Sequence, residues 1–586
     1  MKRIALLTLL LAAALTPLRA QVATVEVSRP YDVNLDGIIK PTIPILVDDS
    51  LQRFDVHFDY SIFNRPYSDL YDFTPYESIQ LATVGANRSP WLFARLGSQY
   101  AFGDKGVIPA GELYLQSKPK NGFCSGLYAR HNSYYGNLGC GIGDDWGLNT
   151  SRMDNTVGAD LTYDWETGGM MVDLKYDMGR YRYRPFSKLE GEMDAFNAHA
   201  NDSFTGSLNL NSAQKEDNTV YYDVTLSYRR TNKKMIVATE SILPIDTARL
   251  SEGLLSLQGF VGASFDKHRI FVDMNIEFAR YGGVHDFQIG VVEFSPIYKY
   301  QRKRLDARIG VKFGTRYGLA GEIEEEGLEL AARSSIFPDV DIRYTLIDKS
   351  LWAHAVVTGG NDLNPYSRMI DDCPIVMPYS DMRFGSRPVD ATLSLESVLG
   401  GRLGLNLEGN YKIYRNKMIF VPYDLSYGQP LLKTTYRDVN QFSMQGEVFW
   451  RSQDVTVGGR LRYALYKDSG DKSLVTEMPA WTGNAFVRYN FRERIIAQVE
   501  CNYRSSTYGL LGNVSGEWYG ITEGGCVPAT YSVPSIVDLD MNVNYLINKN
   551  FAVFVKAANL LNHRNQYMPL YLEPGFNLGG GFCLNF

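Results

Sequence analysis

The segment DLDMNVNY, Asp538–Tyr545, alternates strictly between two kinds of side chain. Leu539 and every second residue after it are apolar, whereas the residues between them are aspartates and asparagines. Successive side chains of a β-strand point to opposite faces of the sheet, so this pattern predicts a strand with one apolar and one polar face. The fold depends on whether the apolar face meets a protein core or lipid.

The same alternation recurs from about residue 54 to the end of the chain, and clear examples are 405–413, 455–465, 487–491 and 499–503. A soluble β-sandwich would alternate in the same way, with its apolar face inward. However, these strands are about 9–12 residues long, whereas globular strands average about 5–6 and tilted membrane-crossing strands need about 9–11. Charges such as Arg460 and Arg462 lie within the polar face, which a water-filled lumen tolerates.

The segments between the strands differ in length in a regular way. Tight turns such as INKN, 547–550, are followed by long loops, and the longest loops are 359–388 and 505–534. Short turns at one end and long loops at the other are typical of outer-membrane barrels, and loops this long argue against a compact soluble fold. We therefore predict an all-β fold, a transmembrane antiparallel β-barrel of about 22 strands. Wall side chains alone cannot fill a barrel of this width.

The N-terminal segment has the composition of a secretory signal peptide. Lys2 and Arg3 precede an apolar run, and the small residue Ala20 follows it. The run is too short for a bilayer-spanning helix. Export combined with a barrel predicts the outer membrane of a Gram-negative bacterium. The predicted organisation is a signal peptide, a short periplasmic segment and the barrel, at 1–20, 21–53 and 54–586.

Composition and spacing argue against a metal, a cofactor or a nucleic acid. The six cysteines contain no CxxC pair, and the seven histidines are scattered singly. DVNLDG, Asp32–Gly37, begins like a calcium loop, but Ile43 stands where the bidentate Glu should be. The net charge of −6 does not suit nucleic-acid binding. We expect no cofactor, no metal site and no nucleic-acid partner.

The last 36 residues, Phe551–Phe586, resemble the end of a TonB-dependent receptor barrel. The residues near the family's motif positions are Asn559, Leu560, Asn562, Tyr567, Pro574 and Gly575. Phe576 departs from the family, which usually has Arg there. The resemblance also implies an assembly signal at the C-terminus, formed by Phe582, Leu584 and Phe586.

The N-terminal part departs from that family. Only 21–53 precede the predicted first strand, Phe54–Phe63, and this segment is too short for the family's plug domain. The resemblance is therefore to a TonB-dependent receptor-like barrel without a plug, and it implies solute transport across the outer membrane. The alternative is a scaffold or subunit of an outer-membrane assembly or secretion complex, because an open barrel would leak unless inward-folding loops or another protein closed it.

The expected partners follow from these assignments. They are outer-membrane lipid, the barrel-assembly machinery during insertion, and a lipoprotein or a separate plugging protein. Lumen-facing arginines would favour anions or would pair with acidic residues across the lumen, and the candidates are Arg460, Arg462, Arg488 and Arg504.

An enzymatic role has one candidate pair, His131 and Ser133 in RHNSYYG. However, two residues apart on a strand, they merely point to the same face. The sequence identifies no third member, and it contains no GxSxG elbow. We therefore expect the protein not to be an enzyme.

The face assignment predicts the effect of Leu539→Arg. If the side shared by Leu539, Met541, Val543 and Tyr545 meets lipid, an arginine there costs about 2–4 kcal/mol at mid-membrane depth and impairs assembly. The yield of folded barrel in the membrane fraction measures this effect. Normal insertion of the variant would show that the assignment of the lipid-facing and lumen-facing sides is wrong.

Overall fold

The computed structural model describes 18 segments of the chain. They are residues 91–118, 120–138, 148–183, 196–212, 220–238, 246–265, 268–284, 286–318, 333–378, 380–424, 431–470, 472, 474–475, 477–492, 494–510, 530–548, 550–567 and 571–586. These segments contain 24 strands and a short helix. The predicted signal peptide, the predicted first strand Phe54–Phe63, and the expected absence of a plug all concern residues outside them.

The strands are β1 (Leu92–Ala101), β2 (Gly106–Gln116), β3 (Phe123–Leu138), β4 (Leu148–Trp165), β5 (Gly168–Tyr183), β6 (Phe196–Ser212), β7 (Val220–Ala238), β8 (Asp246–Phe265), β9 (His268–Gly283), β10 (Gln288–Arg302), β11 (Leu305–Tyr317) and β12 (Arg333–Ile347). They continue with β13 (Leu351–Asp362), β14 (Gly385–Leu399), β15 (Leu403–Asp424), β16 (Leu431–Arg451), β17 (Val455–Asp468), β18 (Trp481–Phe491), β19 (Ile495–Arg504), β20 (Thr507–Leu510), β21 (Thr530–Val533), β22 (Ile536–Asn548), β23 (Phe551–Ala558) and β24 (Asn577–Asn585). The helix α1 spans Tyr366–Asp372.

The sheet closes on itself into a barrel. Twenty-two strands form one sheet of antiparallel sequence neighbours, and β1 pairs both with β2 and with the last strand, β24. Strands β20 and β21 pair only with each other, so they form a separate hairpin in the connection between β19 and β22. The prediction of a transmembrane antiparallel barrel of about 22 strands is confirmed. The described barrel begins at Leu92.

The barrel wall is apolar outside and polar inside. On β11, Ile309, Val311 and Phe313 are each between 43% and 51% exposed, whereas charged residues such as Glu252 on β8 and Lys233 on β7 are buried. A water-soluble protein has the opposite distribution, so the outer face is suited to lipid. The predicted apolar positions lie on this exposed face, among them Leu407, Leu461, Val487 and Tyr545.

The two ends of the barrel differ as predicted. Successive strands are joined at one end by short turns such as 166–167, 303–304 and 400–402, and we call this the turn end. At the other, the loop end, the connections include 363–384 and 505–535. The C-terminus lies at the turn end, where Asn585 pairs with Phe93. In outer-membrane barrels the short turns are periplasmic and the long loops extracellular. Of the described residues, none belongs to a helix long and apolar enough to cross a membrane.

The C-terminal strand lies in the closing seam of the barrel. Leu578, Phe582 and Phe586 are exposed on the outer face, whereas Asn577 and Cys583 are buried on the inner face. Phe586 extends the seam, because its N–H donates to Leu92 O at 2.9 Å and its carbonyl accepts the N–H of Trp91 at 2.7 Å. The role of these residues as an assembly signal stays a prediction.

Glycine is required in this seam. A Cβ on Gly579 would lie 2.0 Å from Ser98 O, and a Cβ on Gly581 would lie 2.0 Å from Leu96 O. Both contacts involve the backbone of β1, which cannot move aside without breaking the pairing that closes the barrel. The glycines therefore allow the close approach of the first and last strands.

The seam predicts that Gly581→Ala weakens barrel closure. Overpacking typically costs about 1–3 kcal/mol, and here the strained contact falls on the closing ladder. The matched control is Gly409→Ala on β15, where an added Cβ meets nothing within 4 Å. The urea midpoint for loss of the heat-modifiable barrel band on electrophoresis should fall for Gly581→Ala only. Equal midpoints would contradict the role given to the seam.

Candidate functional site in the barrel lumen

In the connection between β13 and β14, residues 363–378 and 380–384 fold into the barrel, and we call them the inner loop. Its apolar side chains share a buried cluster with inward-facing residues of the wall. The inner loop contributes Leu363, Tyr366, Met369, Ile370, Cys373, Ile375 and Val376, and the wall contributes Tyr181, Leu250, Leu254, Ala279, Tyr281, Ile289, Val291, Phe420 and Leu432. The inner wall thus presents apolar side chains where the inner loop docks. Their burial stabilises the docked loop.

A buried carboxylate of the wall holds the start of helix α1. Glu252 on β8 is fully buried, and its two carboxylate oxygens accept the N–H groups of Tyr366 at 2.5 Å and Ser367 at 3.0 Å. These are among the first N–H groups of the helix, which have no partner within it. A negative charge also interacts favourably with the N-terminal end of a helix. Glu252 therefore caps the helix from a different part of the chain.

Two ion pairs and a shared carbonyl fasten the rest of the helix and the segment after it. Arg229 on β7 donates to both carboxylate oxygens of Asp371, at 2.5 and 2.7 Å. Arg368 of the helix pairs with the buried Glu277 on β9. The carbonyl of Pro374 accepts hydrogen bonds from Lys233 Nζ at 2.7 Å and from Asn201 Nδ2 at 2.9 Å. Bidentate and charge-assisted bonds of this kind fix geometry as well as adding energy.

The second half of the inner loop attaches to a distant part of the wall. Val376 forms a parallel bridge with Leu432 on β16, and Met377 N–H donates to Leu432 O at 2.9 Å. Thr434 Oγ1 and Tyr436 Oη donate to the carbonyl of Asp381 at 2.7 and 2.8 Å. The inner loop is therefore fixed both to β6–β9 and to β16, which places it across the lumen at the loop end.

Burial holds two titratable groups of the inner loop, Cys373 and Tyr366, in their neutral forms. Burial raises the pKa of the Cys373 thiol to about 12. The pKa of Tyr366 lies well above its usual value for the same reason, and its hydroxyl donates to Val376 O at 3.0 Å. Neither group ionises near neutral pH, so neither adds a charge to the buried cluster in that range.

In the connection between β23 and β24, residues 559–567 and 571–576 carry the motif residues, and we call them the final loop. Asn559 and Asn562 have φ values of +49° and +51°, a left-handed conformation that asparagine tolerates. The Asn559 side chain accepts His563 N–H and donates to the carbonyls of His563 and Pro574. Asn562 Oδ1 accepts Phe576 N–H at 2.9 Å. The two asparagines join the beginning of the final loop to its end.

The other motif residues connect the final loop to the wall. Gly575 N–H donates to Asp104 Oδ2 at 2.8 Å, and Leu560 N–H donates to Leu539 O at 2.8 Å. Tyr567 O accepts Arg504 Nη1 at 3.1 Å. Tyr571 belongs to the same buried cluster as the inner loop. The motif predicted from sequence is therefore the frame of a second loop that reaches into the lumen.

The position that departs from the family motif has its own packing. The ring of Phe576 stacks on Phe102, with centroids 5.6 Å apart and planes 14° from parallel. The carbonyl of Phe576 accepts Phe102 N–H at 3.1 Å. An aromatic residue here fastens the end of the final loop to the turn between β1 and β2.

The remaining inner wall carries closely paired charges. Arg308 bridges Asp273 and Asp339, Lys412 Nζ lies 2.9 Å from Asp390 Oδ2, and Arg387 donates to both carboxylate oxygens of Asp362 at 3.1 and 3.0 Å. Among the predicted lumen arginines, Arg460 pairs with Glu447, and Arg488 donates twice to Gln498 Oε1. Arg460 thus pairs with an acidic residue of the neighbouring strand, whereas Arg488 bonds to a neutral amide, and the lining is of mixed charge. Within the described residues, no group of three or more His, Cys, Asp or Glu is arranged to hold a metal ion.

The candidate enzymatic pair lies away from the lumen. His131 and Ser133 share the outer face of β3 with the exposed Leu127 and Tyr135. The structure also adds Asn155, which pairs with His131 across β3 and β4 and which sequence reasoning missed. The alternation of apolar and polar residues in β3 and β4 sets the register of this hairpin, and that register could have identified Asn155 as the partner of His131.

The barrel resembles solved structures that are distant from it in sequence. The barrel superposes on the FrpB iron transporter from Neisseria meningitidis with a TM-score of 0.63 at 9% identity, covering 85% of this chain and 82% of that one. For the siderophore receptor PirA from Acinetobacter baumannii the TM-score is 0.61 at 12% identity, with 86% and 81% covered. For the copper transporter OprC it is 0.61 at 10% identity, with 85% and 82% covered.

The barrel has the TonB-dependent receptor fold. The resemblance predicted from the C-terminal motif is thus confirmed at the level of fold. No protein-family model matches the chain, and no curated protein matches it in sequence. A TonB-dependent receptor-like barrel therefore forms here from a sequence that retains few residues in common with the solved examples.

The anchoring of the inner loop predicts that Glu252→Ala loosens it. The change leaves the N–H groups of Tyr366 and Ser367 buried without their acceptor, at about 1–3 kcal/mol each. Amide hydrogen exchange in 363–384 should therefore accelerate by at least about tenfold, since 1.4 kcal/mol corresponds to a factor of ten. Glu396→Ala, which removes a wall carboxylate that pairs with Arg343 toward the turn end, is the control. Unchanged exchange in Glu252→Ala would show that the cap does not hold the inner loop.

Proposed function

We propose that this chain is a transport protein of the Gram-negative outer membrane, which passes a hydrophilic solute through its lumen and uses the inner loop as the gate. The observation that carries the proposal is the attachment of one loop-end connection to two separated parts of the inner wall. A barrel of this width needs material in its lumen to avoid leakage. The inner loop lies where such material is needed, and it is held by contacts that can separate without unfolding the wall.

The chemistry of the lumen supports a hydrophilic solute. The lining is polar and of mixed charge, so it can exchange hydrogen bonds with a hydrated solute along its length. Its charges are mostly paired, as in Lys412 with Asp390, which argues against strong selection for one sign of charge. The solved structures with this fold are named as an iron transporter, a siderophore receptor and a copper transporter, and these names support transport as the general role.

The proposal includes two partners. Outer-membrane lipid would surround the apolar outer face, and the barrel-assembly machinery would read Phe582, Leu584 and Phe586 at the end of β24. The exposure of Phe582 and Phe586 on the outer face supports a signal accessible during insertion. The alternative role as a scaffold in an assembly or secretion complex is favoured by no observation on the described residues.

Planar-bilayer conductance of the purified full-length protein tests the gate. Wild-type protein should give a closed baseline with rare openings, because the inner loop lies across the lumen. Arg229→Ala combined with Arg368→Ala removes the ion pairs to Asp371 and Glu277, and it should produce large, frequent openings. Arg343→Ala also removes an ion pair of the inner wall, but its partner Glu396 is far from the inner loop. This control should behave like wild type.

A liposome-swelling assay with raffinose then distinguishes transport from ion leakage. Swelling should be faster with the Arg229 and Arg368 double variant than with wild type or Arg343→Ala. Large, stable conductance in the wild type would contradict the gate. A baseline that stays closed in the double variant, with another protein copurifying at fixed stoichiometry, would favour the scaffold role instead.

A further inference from the structure

Three polar side chains on the outer face of the barrel form a continuous hydrogen-bonded series. Ser133 Oγ lies 3.0 Å from His131 Nε2, and His131 Nδ1 lies 2.7 Å from Asn155 Oδ1. His131 and Ser133 are two residues apart on β3 and therefore share a face. Asn155 is the direct antiparallel partner of His131 on β4. Strand geometry thus brings together a hydroxyl, an imidazole and an amide in the order of a nucleophile, a base and a residue that orients the base.

The hydrogen-bond chemistry of the series assigns a role to each residue. An amide oxygen can only accept, so Asn155 Oδ1 requires the ring proton to be on His131 Nδ1. Nε2 then carries the lone pair, and it faces the Ser133 hydroxyl. This is the arrangement in which a neutral imidazole withdraws a proton from an attacking serine, and asparagine is a known orienting residue in such triads. Ser133 Oγ has one further polar contact, with Pro109 O at 3.4 Å.

The position of the series on the barrel indicates what it would meet. Leu127, Tyr135 and Val157 lie on the same outer face and are 57%, 47% and 56% exposed. Ser133 is the eleventh of the 16 residues of β3 and lies toward the loop end. Tyr135 lies two residues closer to the loop end. Tyrosines near the ends of membrane-spanning strands are typical of the membrane interface, where the acyl ester groups of lipids lie. The substrate that this face offers to a nucleophilic serine is therefore a lipid acyl ester.

Contrary to the expectation from the sequence that the protein is not an enzyme, we propose that Ser133, His131 and Asn155 form a serine acyl-transfer site that acts on acyl esters of membrane lipids. Ser133 Oγ forms a bond to the ester carbonyl carbon and gives its proton to His131 Nε2. The ester C–O bond breaks, and the leaving alcohol takes that proton. Water then attacks the acyl-serine with His131 again as base, which releases the fatty acid and restores Ser133. Asn155 is a positioning residue that holds the imidazole in the required tautomer.

This activity is independent of transport through the lumen. The three residues face outward, whereas the inner loop and the wall residues that hold it face inward. Loss of Ser133 should therefore leave conductance unchanged, and opening the inner loop should leave the acyl-transfer site unchanged. Failure of one proposal would not imply failure of the other.

Labelling of the full-length protein by a fluorophosphonate probe tests the nucleophile. Ser133 is only 3% exposed, so a small, reactive probe is a better first test than a bulky lipid. Its reaction forms an O–P bond, releases fluoride and passes the serine proton to His131. Wild-type protein should be labelled, with the adduct located on Ser133 by peptide mass spectrometry. His131→Ala should slow labelling by at least about 100-fold, as expected for loss of a general base.

Two further variants test the order of the series. Asn155→Ala should slow labelling, whereas Asn155→Asp should restore it, because a carboxylate also accepts from Nδ1. Ser125→Ala is the matched control: Ser125 lies on the same face of β3 but bonds to Ser117, without a histidine. Heat-modifiable migration identifies the folded barrel in each sample. Labelling elsewhere than Ser133, or equal labelling of folded His131→Ala, would overturn the proposal.

Proteoliposomes of phosphatidylethanolamine then test the substrate. Wild-type protein and Ser125→Ala should release fatty acid, and Ser133→Ala should lower the rate to that of protein-free vesicles. Labelling of Ser133 without release of fatty acid would overturn the assignment of lipid as substrate. Release that persists in Ser133→Ala would overturn the assignment of the nucleophile.

Discussion

The hydrogen-bonded seam between β1 and β24 is the constraint on which the rest of the structure depends. Lipid offers no hydrogen bonds to an unpaired strand edge, so a membrane-spanning sheet must close completely. Closure requires the first and last strands to approach so closely that Gly579 and Gly581 leave no room for a Cβ. Once the sheet is closed, alternation gives every strand one side chain toward lipid and the next toward the lumen. The outer apolar surface and the polar lining are both consequences of that seam.

Closure at 22 strands creates a second requirement, because a lumen of this width must be occupied by something other than wall side chains. The inner loop occupies part of the lumen. Where it docks, the wall departs from the general pattern of an apolar outer face and a polar inner face. The wall places apolar residues such as Leu250 and Val291 inward where the loop docks, and it adds a buried carboxylate, Glu252, to cap the helix. Apolar burial provides the general attraction, and the ion pairs of Arg229 and Arg368 provide the position. In the proposed gate, opening would separate these ion pairs.

The outer face is chemically simpler, and for that reason its polar residues are informative. Ser133, His131 and Asn155 lie on a surface that elsewhere favours leucine, valine and aromatic residues. Their mutual hydrogen bonds reduce the cost of placing polar groups there, and the same bonds arrange them as a nucleophile and its base. The inner face of the wall thus holds the inner loop, and the outer face carries the hydrogen-bonded series that faces lipid.

The sequence by itself determined the features that repeat locally. Alternation in segments such as 538–545 predicted the strands, their two faces and their approximate number, and the final motif predicted the fold. Those predictions succeed because a strand's faces depend only on neighbouring residues in the chain. Tertiary structure decided the rest. Glu252 meets Tyr366 114 positions away, and Arg229 meets Asp371 142 positions away, so no local pattern could reveal the docked inner loop. Asn155 joined His131 only through the register of a hairpin. Both proposed functions depend on distances between side chains, which the closed barrel fixes and the linear chain leaves undefined.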